Sequence, residues 1–558
     1  MRFKDLTEEN KNFFKLVYLD KSISWENRLR MMAEYAGTSS RTVQKWVSAL
    51  GLTEREETES PELIKAKQRT FNEKRRRFIV TWAQNNTPVH RKFLSNIEEY
   101  AKQIKADIHV IAGRYKNPTS VFTDGAKDAW HEPIRKYLDA ARHDIHTYLS
   151  IMSDVKIQPT AVNPMTGMQG MSGLNSCIFG SPKVQMEMIP VLEGCKPKMM
   201  LTTGACTIKN YTDSKSGKKG EFHHTLGFVI AEIKDDDTFF IRQVTADEEG
   251  NFMDLWNRVK FEGTRDPIEF NTPVEEIEWN KENFGEPPFS LVGESKITKD
   301  AGVSACVLGD LHLGKEDLEV MNTTLNFMRR VNPEHIVLHD VFDGSSISHH
   351  EMKDPFAQYA KEIKGTNSLN KEVEYMLNKL EVFNEFKDSK VVIVRSNHDD
   401  FVDRWLKNED WRKQPTPKNS MEYMEYSQIL LKQYSEGDKI KGVIPELICR
   451  KYPDFITLGR SDSYIVNGWE LGQHGDVGSA GSRGSLQQFR RLNTKIIVGH
   501  YHAPGRLDGA LSVGTSTELR IGYNIGASNW LQSHVIVHEN GKAQHLNFIN
   551  GEFTTLRP

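Results

Sequence analysis

The chain has 558 residues, 38% hydrophobic and 27% charged, with a formal net charge of −3, which is ordinary for a globular protein of roughly two to four domains. No run of about eighteen apolar residues offers a membrane span, the polar start MRFKDLTEENKNFF lacks the apolar core of a secretory signal, and the near-neutral charge excludes a wholly polybasic nucleic-acid binder. The five cysteines are dispersed and never in C-x-x-C spacing, which argues against a disulfide framework or a cysteine zinc site and predicts a reducing, cytoplasmic compartment.

Residues 1–57 are predicted helical, with a helix-turn-helix pattern from Trp25 to Leu52. Leu29, Met32, Ala33 and Ala36 form one apolar stripe. Gly37 permits a sharp turn, and Ser39 is suited to cap the next helix. Val43, Trp46, Val47 and Leu50 would pack that helix inward. Ser40, Arg41, Gln44 and Lys45 would then face outward, where a recognition helix meets the major groove of DNA. A small helical bundle used for oligomerisation is the competing expectation.

Thr53–Glu62 is an acidic, turn-prone linker. Lys65, Lys67, Arg69, Lys74, Arg75, Arg76 and Arg77 follow, opposed only by Glu62 and Glu73 within Pro61–Trp82. Arg75, Arg76 and Arg77 are candidates to hold DNA phosphates, against the plainer expectation of a solvated helix face. Residues 58–290 are expected to comprise this basic helix and a middle α+β domain. Short β-type runs (IHVIAG, SCIFG, KMMLTTGAC, HTLGFVIAEI, TFFIRQV) alternate there with stretches of helical pattern such as DAWHEPIRKYLDAARHDIHTYLSIM. NYTDSKSGKKGEFHH predicts a hairpin loop with Lys215, Lys218 and Lys219 at its tip. His223 and His224 are adjacent, so on a strand they would point to opposite faces and at least one is expected to be structural. Asn283–Lys299 is expected to be a linker.

Residues 300–558 form the last predicted domain. Its apolar strands each end in a polar cluster: Gly309-Asp310-Leu311-His312; His339-Asp340-Val341-Phe342-Asp343-Gly344; Ser396-Asn397-His398-Asp399; Gln473-His474-Gly475-Asp476; and Gly499-His500-Tyr501-His502. Amphipathic helices lie between some of them; in one, Leu369, Val373, Met376, Leu377, Leu380 and Phe383 share a face. In layered α/β folds functional groups gather on the loops at strand ends. Carboxylate, imidazole and amide-oxygen donors suit manganese, iron or zinc. Any one cluster could be a turn with a hydrogen-bonded histidine. Five in order, each after an apolar strand, point to a metal-dependent site.

This ordered set resembles the calcineurin-like metallophosphoesterase superfamily, whose pattern is D-x-H, G-D-x-x-D, G-N-H-D/E, H and G-H-x-H. The resemblance covers about residues 303–540 and implies a four-layer α/β/β/α domain. It implies that Asp310, His312 and His502 hold one divalent ion, that Asn397, His474 and His500 hold the other, and that Asp340 bridges both. His398 would be the catalytic histidine beside the scissile phosphate. Asp343 and Asp399 would orient ligands or that histidine, with simple turn hydrogen bonding as the alternative. Two positions depart from the pattern: His339 and Ser396 stand where the family has glycine. The implied chemistry is hydrolysis assisted by two metal ions, manganese first and magnesium as a substitute. The layout is also similar to the pre-early, host-DNA-degrading nucleases of T-five-like phages. That implies action in the cytoplasm of an infected bacterium; the helix-turn-helix pattern beside a phosphoesterase makes DNA the expected partner, and a homo-oligomer is expected. Two other readings compete: a nucleotide phosphatase or cyclic phosphodiesterase with an N-terminal oligomerisation module, and a DNA-binding regulator with a degenerate phosphoesterase fold. The intact ligand set argues against the second.

Overall fold

The computed structural model describes residues 3, 6–19, 25–50, 76–115, 129–270, 272–413, 417–437, 440–522 and 524–557. The predicted linker Thr53–Glu62, the basic positions Lys65 to Lys74 and Arg75 lie outside them. The chain divides into two units, residues 1–64 with 116–129, and residues 65–115 with 130–558.

In the first unit, helices α1 (Glu8–Leu19), α2 (Trp25–Ala36) and α3 (Ser40–Ala49) enclose a small core. Phe14, Met32 and Val43 are fully buried in it, with Leu29, Ala33, Ala36, Trp46 and Val47 around them. Gly37 takes a left-handed φ of 59° between α2 and α3, and Ser39 Oγ accepts the amide of Thr42 (3.3 Å) at the start of α3. Ser40, Arg41, Gln44 and Lys45 are left exposed along one side of α3.

The second unit is mixed α/β. Its six-stranded sheet runs in the order Ile456–Leu458, Lys390–Val394, His335–His339, Val303–Val307, Ser533–His538, Ala543–Asn547. The first four strands are parallel. Their nearly continuous apolar sequences suit burial on both faces, and the two-residue side-chain period divides them cleanly. Cys306, Leu308, Ile336, Leu338, Val391 and Ile393 face a layer of helices that includes Leu318–Val331, Leu369–Leu380 and Asp400–Asn408. Ala305, Val307, Val337, Val392 and Val394 face Trp469, Ile497, Leu511 and Val513 of a second, ten-stranded sheet or its strand ends. On another face of that sheet, Ile496, Val498 and Ala510 pack with Phe489 of the short helix Leu486–Phe489.

The ten-stranded sheet corrects the expected boundary near residue 290. Its order is Ile465–Val466, Trp469–Glu470, Lys495–Val498, Ala510–Ser512, Gly505–Leu507, Gln185–Ile189, Lys198–Thr202, Ser176–Phe179, Leu149–Met152, Arg142–His146. Arg506 pairs with Met186 and Leu507 with Gln185, so strands from the supposed middle and last domains share one ladder. A five-stranded sheet (Phe239–Thr245, Gly227–Ile233, Arg77–Gln84, Asp107–Gly113, Leu138–Asp139) covers the earlier half of it through Val80, Trp82, Ile178, Leu201 and Val229.

Three local expectations also change. The stretch from Glu132 to Met152 is helical only over Glu132–Arg135 and then forms three short strands. Lys215–His223 is a helix rather than a hairpin tip, because Ser214 caps it by accepting the amide of Gly217 (3.1 Å). Within the expected linker, Phe289–Thr298 is a strand paired along its length with Asn257–Pro267. The helix Leu369–Leu380 buries Leu369, Val373, Met376 and Leu380 as its periodicity predicts.

A buried ionic network joins the sheets. Arg242, fully enclosed, grips both oxygens of Asp254 (2.6 and 2.8 Å) and also pairs with Glu232. Asp254 accepts further bonds from Tyr100 (2.6 Å) and Gln544 (2.8 Å), and Glu232 accepts from Thr554 Oγ1 (2.7 Å) and the amide of Thr555 (2.8 Å). Removing the cation would leave Asp254 buried without a counter-charge and Glu232 with Arg77 alone. Arg242→Met is therefore expected to lower the unfolding free energy by about 3–5 kcal/mol, measured by urea denaturation.

Candidate metal centre

Loops at the ends of five strands in the two facing sheets carry the predicted ligands. Asp310 and His312 follow Val303–Val307, Asp340 follows His335–His339, and Asn397 and His398 follow Lys390–Val394. His474 comes after Trp469–Glu470, and His500 and His502 after Lys495–Val498. Four of these side chains bend back through left-handed backbone: His312 (φ 40°), Asp340 (47°), His500 (74°) and His502 (54°). Such conformations cost on the order of 1–3 kcal/mol each and persist where surrounding structure enforces them, as at functional sites. Gly499 is required by the same crowding. A Cβ there would lie 2.3 Å from Asp310 Oδ1 and 3.0 Å from the His339 ring.

Asp310, His312, Asp340 and His502 are all buried, and one donor atom from each lies within 4.8 Å of the others. His502 Nε2 is 3.1 Å from Asp310 Oδ2, and His312 Nε2 is 3.0 Å from His502 Nε2. Asp340 Oδ2 sits between His312 Nε2 (3.4 Å) and His474 Nε2 (3.2 Å). Beyond His474, the His500 Nδ1 contacts Asn397 Oδ1 at 3.1 Å. The seven predicted ligands thus form one continuous cluster with Asp340 at its middle.

Oδ1 of Asp310 and Oδ1 of Asp340 are buried without a hydrogen-bond partner. Orphaned carboxylate oxygens in a closed site are costly unless a cation balances them, so the donor set fits a divalent ion bound through oxygen and nitrogen. The proton balance carries the same message. Burial works against a charged His312 or His474, yet Asp340 and its neighbouring carboxylates raise each to about 9. Burial alone would raise Asp340, but His474, His398 and His312 hold it well below the usual carboxylate range.

His398 is half-buried at the rim of the cluster, its ring edge-on to His312 at 4.5 Å. Its Nδ1 donates to the carbonyl of Asp343 (2.6 Å), leaving Nε2 available to a substrate. Burial pushes this imidazole below its ordinary value. The Asp343 carboxylate lies 3.2 Å from His312 Nδ1, so this residue orients one ligand by its side chain and His398 by its backbone. Asp399 instead clamps its own turn: it accepts the amide of Ser396 (2.9 Å), and Ser396 Oγ accepts the amide of Asp399 (3.1 Å). Burial raises the Asp399 carboxyl to about 7.

The other candidates lie elsewhere. Ser40, Arg41, Gln44 and Lys45 belong to the first unit, and Arg76 is exposed. Arg77 turns inward, with Nε 3.6 Å from Glu232 and Nη1 donating to the carbonyl of Ile104 (2.9 Å). His224 is buried between Tyr211 and the carbonyl of Thr207, a structural position. In the sequence, His339 marks only a departure from the family pattern. Its ring is wholly buried, 3.4 Å from His474 Nδ1, and burial lowers it to about 4. A bulky residue there wedges His474 toward Asp340. Trp530, edge-on to the His502 ring at 4.1 Å, escapes sequence reasoning altogether, because nothing in its local sequence marks it.

Fold and site together define a mixed α/β protein with a buried aspartate–histidine centre able to hold a metal ion. No family model matches the chain, and no solved structure matches it. It is similar to "Protein A1" of Escherichia phage T5, 29% identical over 488 residues that span 86% of this chain and 83% of that protein. The likeness to a phage protein therefore extends over most of both chains.

Adding manganese is expected to raise the melting temperature, since a ligand at a hundred times its dissociation constant contributes about 2.7 kcal/mol. Asp340→Asn should lose most of that shift in differential scanning calorimetry. An equal shift in the variant would place the bound ion elsewhere.

Proposed function

We propose that this protein is a two-metal-ion phosphodiesterase of the calcineurin-like kind that hydrolyses DNA, encoded by a phage and acting on host DNA in the infected cell's cytoplasm. The observation that carries the reading is the gathering of buried donors from Asp310, His312, Asp340 and His502 within 4.8 Å of one another, with unsatisfied oxygens on both aspartates. Asp310, His312, Asp340 and His502 would hold one ion, and Asp340, Asn397, His474 and His500 the other. Manganese or magnesium bound there supplies a hydrolytic water at neutral pH and neutralises charge on the phosphoryl oxygens.

The protein's own groups do the rest. His398, its ring fixed by the Asp343 carbonyl, would turn Nε2 toward the scissile phosphate and, after taking up a proton there from solvent, would give it to the leaving oxygen. Asp343 keeps His312 in the tautomer that turns Nε2 inward. The deep walls around Asp310 and Asp340 exclude bulk solvent, which strengthens every charge interaction inside. In the first unit, the polar side of α3 with Ser40, Arg41, Gln44 and Lys45 suits contact with a DNA groove and supports DNA as the substrate. Arg76, exposed, and Arg75 would add phosphate contacts.

A nucleotide phosphatase with an N-terminal oligomerisation module is the second reading. The exposed apolar side chains Leu16, Met31 and Tyr35 of that unit favour it.

With manganese and plasmid DNA, the protein is expected to degrade the plasmid and to release no phosphate from nucleoside monophosphates. The opposite pattern refutes the proposal. His398→Ala should cut the rate about 10²–10⁴-fold while metal content, measured by atomic emission, stays the same. Deleting residues 1–50 should weaken DNA binding about tenfold or more and flatten its salt dependence, measured by fluorescence anisotropy; unchanged affinity would remove the DNA-reading role from α3.

A further inference from the structure

Beside the metal centre lies a group of cationic and imidazole side chains that no ligand role uses. The His398 ring stacks on Phe401 at 4.6 Å and 26°. Phe401 lies in the first turn of the helix Asp400–Asn408, and Arg404 stands one turn further along the same side. The Arg404 guanidinium lies over the Phe401 ring at 5.8 Å. From the other side, His349 meets Phe401 edge-on at 5.0 Å and packs on His350 at 3.9 Å. Arg404 Nη1 donates to His349 Nε2 at 3.1 Å, closing the group. Arg404, His349 and His350 are all exposed.

The neighbouring acids are committed elsewhere. Asp400 and Asp403 pair with Arg395 (2.6 and 2.9 Å), and Glu351 pairs with Lys361. Among the described residues no carboxylate makes an ion pair with Arg404, His349 or His350. The His349 imidazole is pushed down by burial and then by its neighbours His350, Arg404 and His398. Arg404 is thus a cation without a carboxylate partner, set beside two imidazoles, and an anionic ligand would meet its charge. The backbone is shaped to the group as well. Gly344 holds φ at 72°, and a Cβ there would come within 2.9 Å of the Phe401 ring, displacing the platform that carries His398 and Arg404.

We propose that Arg404, His349 and His350 form an anion subsite that grips the phosphate next to the scissile one on a polynucleotide strand. The guanidinium offers a planar fork to two phosphate oxygens, and the two imidazoles offer N–H donors beside it. Phe401 fixes the subsite one side chain away from His398, so a strand bound there would be threaded past the metal centre in register. This inference rests on the polynucleotide reading above and gives it a substrate rule: the enzyme prefers a phosphodiester that has a neighbouring phosphate.

The test compares a dinucleoside monophosphate, which has a single phosphodiester, with a long oligothymidylate, both with manganese at constant ionic strength. Wild-type kcat/KM is expected to be higher on the oligonucleotide. In Arg404→Ala, and in the double variant His349→Ala/His350→Ala, the ratio of the two kcat/KM values should fall about tenfold, mainly through KM, and the salt slope of oligonucleotide binding should shrink by about 0.7 for each phosphate that is no longer neutralised. Arg404→Lys, which keeps charge but not the fork, should recover part of the ratio. An unchanged ratio in both variants, with wild-type enzyme cutting the oligonucleotide, overturns the subsite. Wild-type enzyme that cuts neither DNA substrate yet releases phosphate from nucleoside monophosphates overturns the nuclease reading itself.

Discussion

Two carboxylates, Asp310 and Asp340, are buried together in a crevice walled by apolar sheet faces, with 0% and 1% of their surface exposed. Burying one unpaired carboxylate is costly, and burying two side by side adds their repulsion. The surrounding structure answers that cost. His312, His474 and His502 are turned inward, two of them through strained backbone, His339 is packed behind them, and Gly499 is small so that its neighbours can close in. A fold accepts such a concentration of charge only where compensation is built around it. The two facing sheets supply rigid strand ends for that purpose, and nearly every member of the cluster sits within a few residues of one.

The compensation is layered. Nearest the carboxylates are imidazoles; behind these, the Asp343 carboxylate and carbonyl set ring orientation. Further out, Arg395 and Arg460 hold Asp400, Asp403 and Asp476 in an ionic frame beneath the loop that carries Asn397 and His398. Each layer fixes the geometry of the one inside it, which is what a preorganised site requires. The rim around Phe401 differs from all of these in having, among the described residues, an arginine without a matching acid, and that difference sets it apart from the structural ion pairs.

The buried aspartate–histidine cluster is legible in the sequence because its signals are local. An apolar strand followed by Asp-x-His or His-x-His marks the element and the place of its polar end, though the left-handed backbone at His312, His500 and His502 is not written in it. The three helices at the start are legible for the same reason, through the stripe Leu29, Met32, Ala33, Ala36 and the glycine after it. What escapes is pairing between distant segments. Nothing in Gln185–Ile189 or in the three residues Gly505–Leu507 announces that they will lie side by side, so the ten-stranded sheet reads as two domains. Arg142–His146 and Leu149–Met152 read as helix because their composition is mixed, and tertiary pairing overrides that preference. Arg404 and His349 sit on a helix and an irregular loop, where no strand-end pattern marks them.

The Arg242 network has a consequence in time. Glu232 is enclosed on one side by Arg242 and on the other by Thr554 and Thr555, which follow it by 322 and 323 residues. During synthesis, earlier segments ordinarily fold as they emerge. Here the middle strands cannot complete their interior until Thr555 has left the ribosome. The half outside the aspartate–histidine cluster therefore stays unfinished until the half that carries the cluster has been made, and the two reach their final form together.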